Sequence, residues 1–378
     1  MKMWVLLLTV CLVSRVSSAP SVGCGQEVPA VPRPGHHHRL DISVSDPGLG
    51  EVTRQFSLHL PAHYDTENNQ PVPLVLDYHG WTSGAHDQMA NMPWKDVADM
   101  DKPGFIYVAM QGMNDVLEGG SYASWNVSNS AGELGPVCEP SLHHDYPCYT
   151  SCGGCQGFET SCDWTSCHDD VVFTQTVIYH ILDTYCVDTE HIHMSGISNG
   201  GMFIWTRAME SLSASLASVG PVGSAPLRGY NFMPDAPLNI IDMHGLNDRT
   251  IPFSPDRPGN LGAGPDDTVQ ATDGWYYHTK MIHLNNVLQS MNCNMESEPY
   301  PTHMDGVHGW TCQSWTGCDQ GKQVKYQEHP STCWCSICLR LQVVQCNGEY
   351  THDYPFHNRY IEGINILWDF MKSHPQNV

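Results

Sequence analysis

A chain of 378 residues with 41% hydrophobic side chains can bury a sizeable core, which makes a folded globular protein the expectation and excludes wholesale disorder. Asp and Glu number 40 against 17 Lys and Arg, a net charge of −23. Such a field repels nucleic acid and anionic lipid, so neither is expected as a partner.

In chain order, residues 1–19 predict a secretory signal peptide: Lys2 comes first, an apolar stretch follows from Trp4 to Val13, and small residues close it around Ser17–Ala19. No later stretch approaches about 18 uninterrupted apolar residues, so no membrane span is predicted and the mature chain is expected outside the cell. Residues 20–50 read as a lead-in; it carries VPAVPRPG and the triplet His36–His38, taken as a solvated turn in preference to a weak metal site. The catalytic domain is expected over 51–378.

Within it, strands are predicted at 51–60, 72–79, 104–109, 191–195, 238–243 and 340–345 from alternation or short buried runs. Helical periodicity marks 169–185, with Phe173, Val177, Ile178, Ile181, Leu182 and Tyr185 on one face. It also marks 202–211, and 360–374 with Ile361, Ile364, Leu367, Trp368 and Met371 together. Strand, helix, strand in repetition predicts an α/β fold with a mostly parallel sheet covered on both faces. Two loop-rich excursions interrupt it, at about 114–168 and 253–274.

Of the 16 cysteines, Cys11 belongs to the signal and fifteen remain. In a secreted chain they are expected as disulfides stapling the loops at 138–167 and 312–338, with one left over. Cys152-x-x-Cys155 and Cys333-x-Cys335-x-x-Cys338 have zinc-like spacings, but the oxidising compartment argues against metal, and none is expected. Asn126-Val127-Ser128 is a glycosylation sequon.

The stretch that carries chemistry is MSGISNGGMF, 194–203, in which Gly196-Ile197-Ser198-Asn199-Gly200 fits G-x-S-x-G between a strand and a helical pattern. In that context Ser198 is a candidate nucleophile on a tight turn, its neighbours lacking Cβ where backbones crowd. A serine needs a base, and the base an orienting acid. HGLND after the strand at 238–243 makes Asp248 the candidate acid, with Asp242 held inside the strand. The loop after the last strand makes His352 the candidate base, with His357 as the alternative nearer the helix. Backbone donors for an oxyanion hole are expected at Asn199 and at Trp81, with Thr82 the alternative to Trp81. His79 and Trp125 are candidate substrate-binding residues.

The sequence resembles the α/β-hydrolase family of secreted polyhydroxybutyrate depolymerases and feruloyl or acetylxylan esterases. The likeness is carried by LVLDYHG at 74–80, SWN at 124–126, DDVVF at 169–173, VDTEHIHMSGISNGGM from 187, HGLNDRTIP from 244, THDYP from 351 and ILWDFMKSHP near the end. It implies the roles given above to Ser198, Asp248 and His352. The chain departs from the family's G-G-H-x-W-P, having Tyr350-Thr351-His352-Asp353-Tyr354-Pro355, and its cysteine-rich excursions are larger. The expectation is a secreted serine esterase that needs no cofactor and acts on polymeric or small esters. The alternative is a non-catalytic secreted binding or matrix protein on the same scaffold; amide cleavage is a third reading. Oligomeric state is not legible.

Overall fold

The alternating stretches HHRLDISVSD and GEVTRQFSLH fold as an antiparallel hairpin, β1 (His37–Asp46) and β2 (Gly50–His59), with His37 opposite His59 and Asp46 opposite Gly50. In the computed structural model, which describes residues 20–116, 120–127, 149–152, 165–230, 233–236, 238–257, 259–272, 274–299, 311–318, 341–348, 352 and 360–376, this hairpin is one edge of a ten-stranded sheet. The expected lead-in at 20–50 is therefore part of the domain, and His37 and His38 begin a strand instead of lying in a turn. The signal segment lies outside the described residues.

Next come β3 (Val72–Tyr78), helices α1 (Ala85–Asn91) and α2 (Trp94–Met100), β4 (Ile106–Met110), α3 (Asp170–Thr184) and β5 (Val187–Ile197). After β5 a continuous helical stretch runs through α4 (Asn199–Phe203), a wide π-helical turn at Ile204–Ala208, and α5 (Met209–Leu212). Then follow β6 (Ser218–Val222), β7 (Asn239–Gly245), β8 (Gly262–Ala263), β9 (Thr268–Gln270), β10 (Tyr276–His278) and α6 (Lys280–Ser290). The chain ends with β11 (Glu298–Pro299), β12 (Thr311–Cys318), β13 (Leu341–Gly348) and α7 (Tyr360–Lys372).

The sheet order is β1-β2-β4-β3-β5-β6-β7-β13-β12-β11. Its six central strands, β4 to β13, are all parallel, and antiparallel strands flank them on both sides. On β3, Leu74, Leu76 and Tyr78 face a layer shared with Phe173, Val177 and Ile181 of α3 and Leu284 of α6, while Val75 faces a second layer with Trp94, Val97, Leu367 and Trp368. A strand apolar on both faces is what a helix-covered parallel sheet demands. Among the residues expected on the buried face of α7, Ile361 is instead exposed, a turn too far toward the helix start to reach the sheet.

Four disulfides join described cysteines: Cys24–Cys186, Cys152–Cys167, Cys293–Cys318 and Cys312–Cys346. Cys152–Cys167 closes a loop as expected. Cys312 and Cys346 face each other on neighbouring strands β12 and β13, so this part of the 312–338 cluster staples the sheet edge instead of a loop. The excursion at 253–274 supplies β8 and β9 of a small three-stranded sheet with β10.

Candidate active site

Chain order and sheet order diverge between β3 and β5: the chain leaves β3 for β4 on one side and returns to β5 on the other. Ligands bind at the carboxyl ends of strands at such a switch point. Here the two ends are His79-Gly80-Trp81 after β3 and Ser198 after β5.

Ser198 sits between β5 and α4 at φ 50, ψ −120, a strained pair of angles for a residue with a Cβ. Its N–H donates to Val222 O of the adjacent strand at 2.9 Å, which holds the turn. The surrounding glycines are required by proximity. A Cβ on Gly200 would lie 2.2 Å from Tyr78 O, and one on Gly196 2.8 Å from the Gly200 carbonyl carbon. Strand and helix can therefore cross tightly enough to project Ser198 from the turn.

The acid comes from the loop after β7. Asp248 is 2% exposed, and its Oδ1 accepts from the N–H groups of Thr250 and Ile251, both at 2.9 Å. Its Oδ2 lies 2.8 Å from His352 Nδ1, and His352 Nε2 lies 3.0 Å from Ser198 Oγ. With Nδ1–H donating to the carboxylate, Nε2 is the acceptor for the serine hydroxyl. The side chains of the three residues expected to act together thus lie in one line within hydrogen-bond distance. His357 lies outside the described residues. Asp242 is committed elsewhere, in a fully buried ion pair with Lys280 at 2.9 Å.

His244 also approaches Asp248 Oδ2, at 3.5 Å, and donates through Nε2 to Ile251 O at 2.9 Å. Burial, reinforced by the Lys280 charge, lowers this imidazole to about 4 despite the nearby Asp248 and Asp242 carboxylates. At neutral pH it is an uncharged strut for the acid loop and does not compete with His352 for the carboxylate.

Around the expected oxyanion donors, Gly80 lies against Ser198: a Cβ there would be 3.4 Å from the serine Cβ. The N–H of Thr82, the alternative donor, bonds to Ala123 O at 3.0 Å. Asn199 opens α4, and its side-chain Oδ1 accepts from Trp125 N–H at 2.9 Å.

Expectations for three residues require correction. Trp125 does not line a cleft; it is fully buried, its ring against Tyr78 and Phe203, and its Nε1–H donates to His79 O at 2.8 Å. It ties the segment of Trp81 to that of Asn199, a task for which a large ring with one polar atom is suited. His79 is likewise buried; its Nε2 accepts from Gly112 N–H at 2.9 Å, and its Nδ1–H donates to Gly80 O at 2.7 Å. Burial lowers it to about 4, and it supports the loop from beneath. Asn126, expected to carry a glycan, is half-buried with its amide nitrogen turned inward on His168 O at 2.9 Å, which argues against that modification. Among the described residues, no group of three or more His, Cys, Asp or Glu side chains gathers to hold a metal ion, and no helix is long and apolar enough to cross a membrane.

The order of strands, the turn at Ser198 and the order Ser198, Asp248, His352 along the chain decide the fold. The chain has the α/β-hydrolase fold. No protein-family model matches it. It is similar to the bifunctional acetylxylan esterase/xylanase XynS20E of Neocallimastix patriciarum, 20% identical over 257 residues that make up 67% of this chain and 27% of that one. It is similar also to a probable feruloyl esterase C of Aspergillus niger, 23% identical over 256 residues, 65% of this chain and 69% of that one. The chain thus spans about a quarter of the length of the first of these relatives. Among solved structures, an acetyl xylan esterase from Aspergillus awamori aligns over 88% of this chain and 98% of its own, at 11% identity and a TM-score of 0.45.

Sequence reasoning missed Tyr149, whose hydroxyl accepts from Trp81 Nε1–H at 2.7 Å, and the buried Lys280. A buried lysine with a lone carboxylate partner leaves no periodic trace, and Tyr149 stands among loop residues with none.

Proposed function

We propose that the protein is a secreted serine esterase hydrolysing carboxylic esters. The observation that carries this reading is the contiguous line Ser198 Oγ, His352 Nε2, His352 Nδ1, Asp248 Oδ2, with steps of 3.0 and 2.8 Å. Ser198 Oγ attacks the ester carbonyl as its proton passes to His352 Nε2, and Asp248 holds the imidazole in the required tautomer and balances its charge. Backbone N–H groups of Asn199 and Trp81 face the developing oxyanion. His352 then returns the proton to the leaving alcohol, and water attacks the acyl-enzyme by the same route, releasing a carboxylic acid and restoring Ser198.

The relatives are named as acetylxylan and feruloyl esterases, which favours acetyl or hydroxycinnamoyl esters of polysaccharides, with polyhydroxyalkanoates the other polymeric class. Trp81 and Tyr122 are partly exposed, with ring centres 5.7 Å apart, an apolar surface suited to any of these. Four disulfides among the described residues support an oxidising destination.

The test is hydrolysis of short-chain p-nitrophenyl esters by the purified protein beside Ser198→Ala. Turnover by the wild type with a loss of roughly 10³- to 10⁶-fold in the variant is expected. Equal rates, or none in either, would favour a non-catalytic binding protein. Rates on methyl ferulate, acetylated xylan and polyhydroxybutyrate film then rank the substrate classes.

A further inference from the structure

The segment that follows β3 is held in a conformation it does not favour. Thr82 is β-branched and sits at φ 68, in the left-handed region where a branched side chain crowds its own backbone. Such strain persists only where the surroundings over-determine it. Two contacts from outside the segment do so: the Thr82 N–H bond to Ala123 O at 3.0 Å, and the Trp81 indole Nε1–H bond to the Tyr149 hydroxyl at 2.7 Å.

Tyr149 is a rigid anchor for that second contact. It is fully buried, and its hydroxyl donates to Tyr122 O at 2.5 Å while accepting from Trp81, so it is oriented from both sides. Its chain neighbours are fixed to Asp115: Thr150 N–H bonds to the Asp115 carbonyl at 2.9 Å, and Ser151 N–H to its carboxylate at 2.7 Å. Burial alone would raise that carboxyl, but hydrogen bonds from His168 and Ser151 outweigh it and hold it down to about 2, so the anchor stays charged at every working pH. Cys152, three residues beyond Tyr149, is tied to Cys167 by a disulfide.

The geometry points to Tyr149 as a positioning residue for the oxyanion loop: through the Trp81 indole it fixes where the Trp81 backbone N–H stands relative to Ser198. This rests on the serine-esterase reading. A donor aimed at a charge that exists only in the transition state contributes little to substrate binding, so loosening its support lowers kcat and leaves KM in place.

Tyr149→Phe keeps the ring and removes the hydroxyl. It is expected to lower kcat about tenfold on p-nitrophenyl esters, with KM within about twofold. Trp81→Phe should do the same, and the double variant should lose no more than either single one, since both break one contact. The Trp81 indole proton signal, assigned by its absence in Trp81→Phe, should move upfield in Tyr149→Phe. A lowered melting temperature with unchanged kcat would make Tyr149 a packing residue and overturn the inference, as would fully additive losses in the double variant. A wild type without esterase activity, whatever the indole signal does, overturns the reading beneath it and the positioning role together. An active wild type with Tyr149→Phe equally active overturns the positioning role alone.

Discussion

His352 lies 154 residues beyond Ser198 in the chain, yet its Nε2 stands 3.0 Å from the serine hydroxyl. The sheet makes that meeting possible. Strands β7 and β13 pair in parallel with Gly245 opposite Gly348, so the loops carrying Asp248 and His352 leave the same edge side by side. Ser198 leaves that edge from β5, two strands away from β7. The ordering entropy of bringing these loops together is absorbed by strand pairing that the core already requires.

Asp248 is the member of this line whose role is easiest to isolate. Asp248→Asn keeps the volume and both hydrogen bonds from Thr250 and Ile251, but an amide that donates toward Nδ1 selects the wrong imidazole tautomer. A loss on the order of 10⁴-fold in kcat is expected with the fold unchanged. Ester hydrolysis and circular dichroism on the same samples check it; near-wild-type turnover would assign the orienting role elsewhere.

The turn at Ser198 has no room for a methyl group. In Gly200→Ala the new Cβ would meet Tyr78 O at 2.2 Å and His79 O at 2.7 Å, both backbone atoms that cannot swing away. The variant should lose about 2–4 kcal/mol of stability and most labelling by a fluorophosphonate probe. Urea unfolding and gel-based labelling measure the two effects. Full labelling at wild-type stability would mean that the turn relaxes, and that the glycine is not needed for close approach.

The sheet's centre and the grouping of Ser198, Asp248 and His352 were legible because each carries a local signature. VPLVLDY is a two-sided apolar run, G-x-S-x-G needs its glycines, and HGLND and the loop at His352 follow strands in the order the fold imposes. Residues 37–46 carry Leu40, Ile42 and Val44 in alternation, but the Pro-rich stretch before them drew the whole of 20–50 into a lead-in. Trp125 and His79 were misread because a sequence near a site does not say which way a ring points. Here both rings turn inward and bond to the backbone of neighbouring segments.

Beneath the oxyanion loop, Asp77 on β3 gives a pH dependence of stability. It is fully buried and accepts from Gln88 Nε2 at 2.9 Å and from the Tyr107 hydroxyl at 3.2 Å. Burial raises its carboxyl from 3.8 to about 7, more than those hydrogen bonds lower it. Between these values the folded chain keeps a proton that the unfolded chain releases, so stability from this group is greatest at low pH and falls as pH rises toward 7, by up to about 4 kcal/mol. Asp77→Asn removes the ionisation. Relative to wild type, it should gain stability steadily from pH 4 to pH 7. Thermal unfolding at intervals across that window checks it; a constant difference would mean that Asp77 ionises at its ordinary value.

The disulfides should differ in weight according to the length of chain each one restrains. Cys24–Cys186 spans 162 residues and Cys152–Cys167 only 15. In the chain-entropy account a crosslink acts on the unfolded state, giving about 5 kcal/mol for the first and about 3 for the second. In the native state the first adds little positional constraint, since Ser21 N–H already bonds to Val187 O at 2.9 Å and the Ser21 hydroxyl donates to Tyr185 O at 2.7 Å. Cys24→Ala/Cys186→Ala should therefore lower stability more and kcat hardly at all. The second pair begins three residues beyond Tyr149, which bonds to Trp81, so Cys152→Ala/Cys167→Ala should cost less stability and more turnover. Guanidinium unfolding set beside ester kinetics separates the two, and a reversed ranking in either measurement would show that native strain or residual structure in the unfolded chain outweighs loop length.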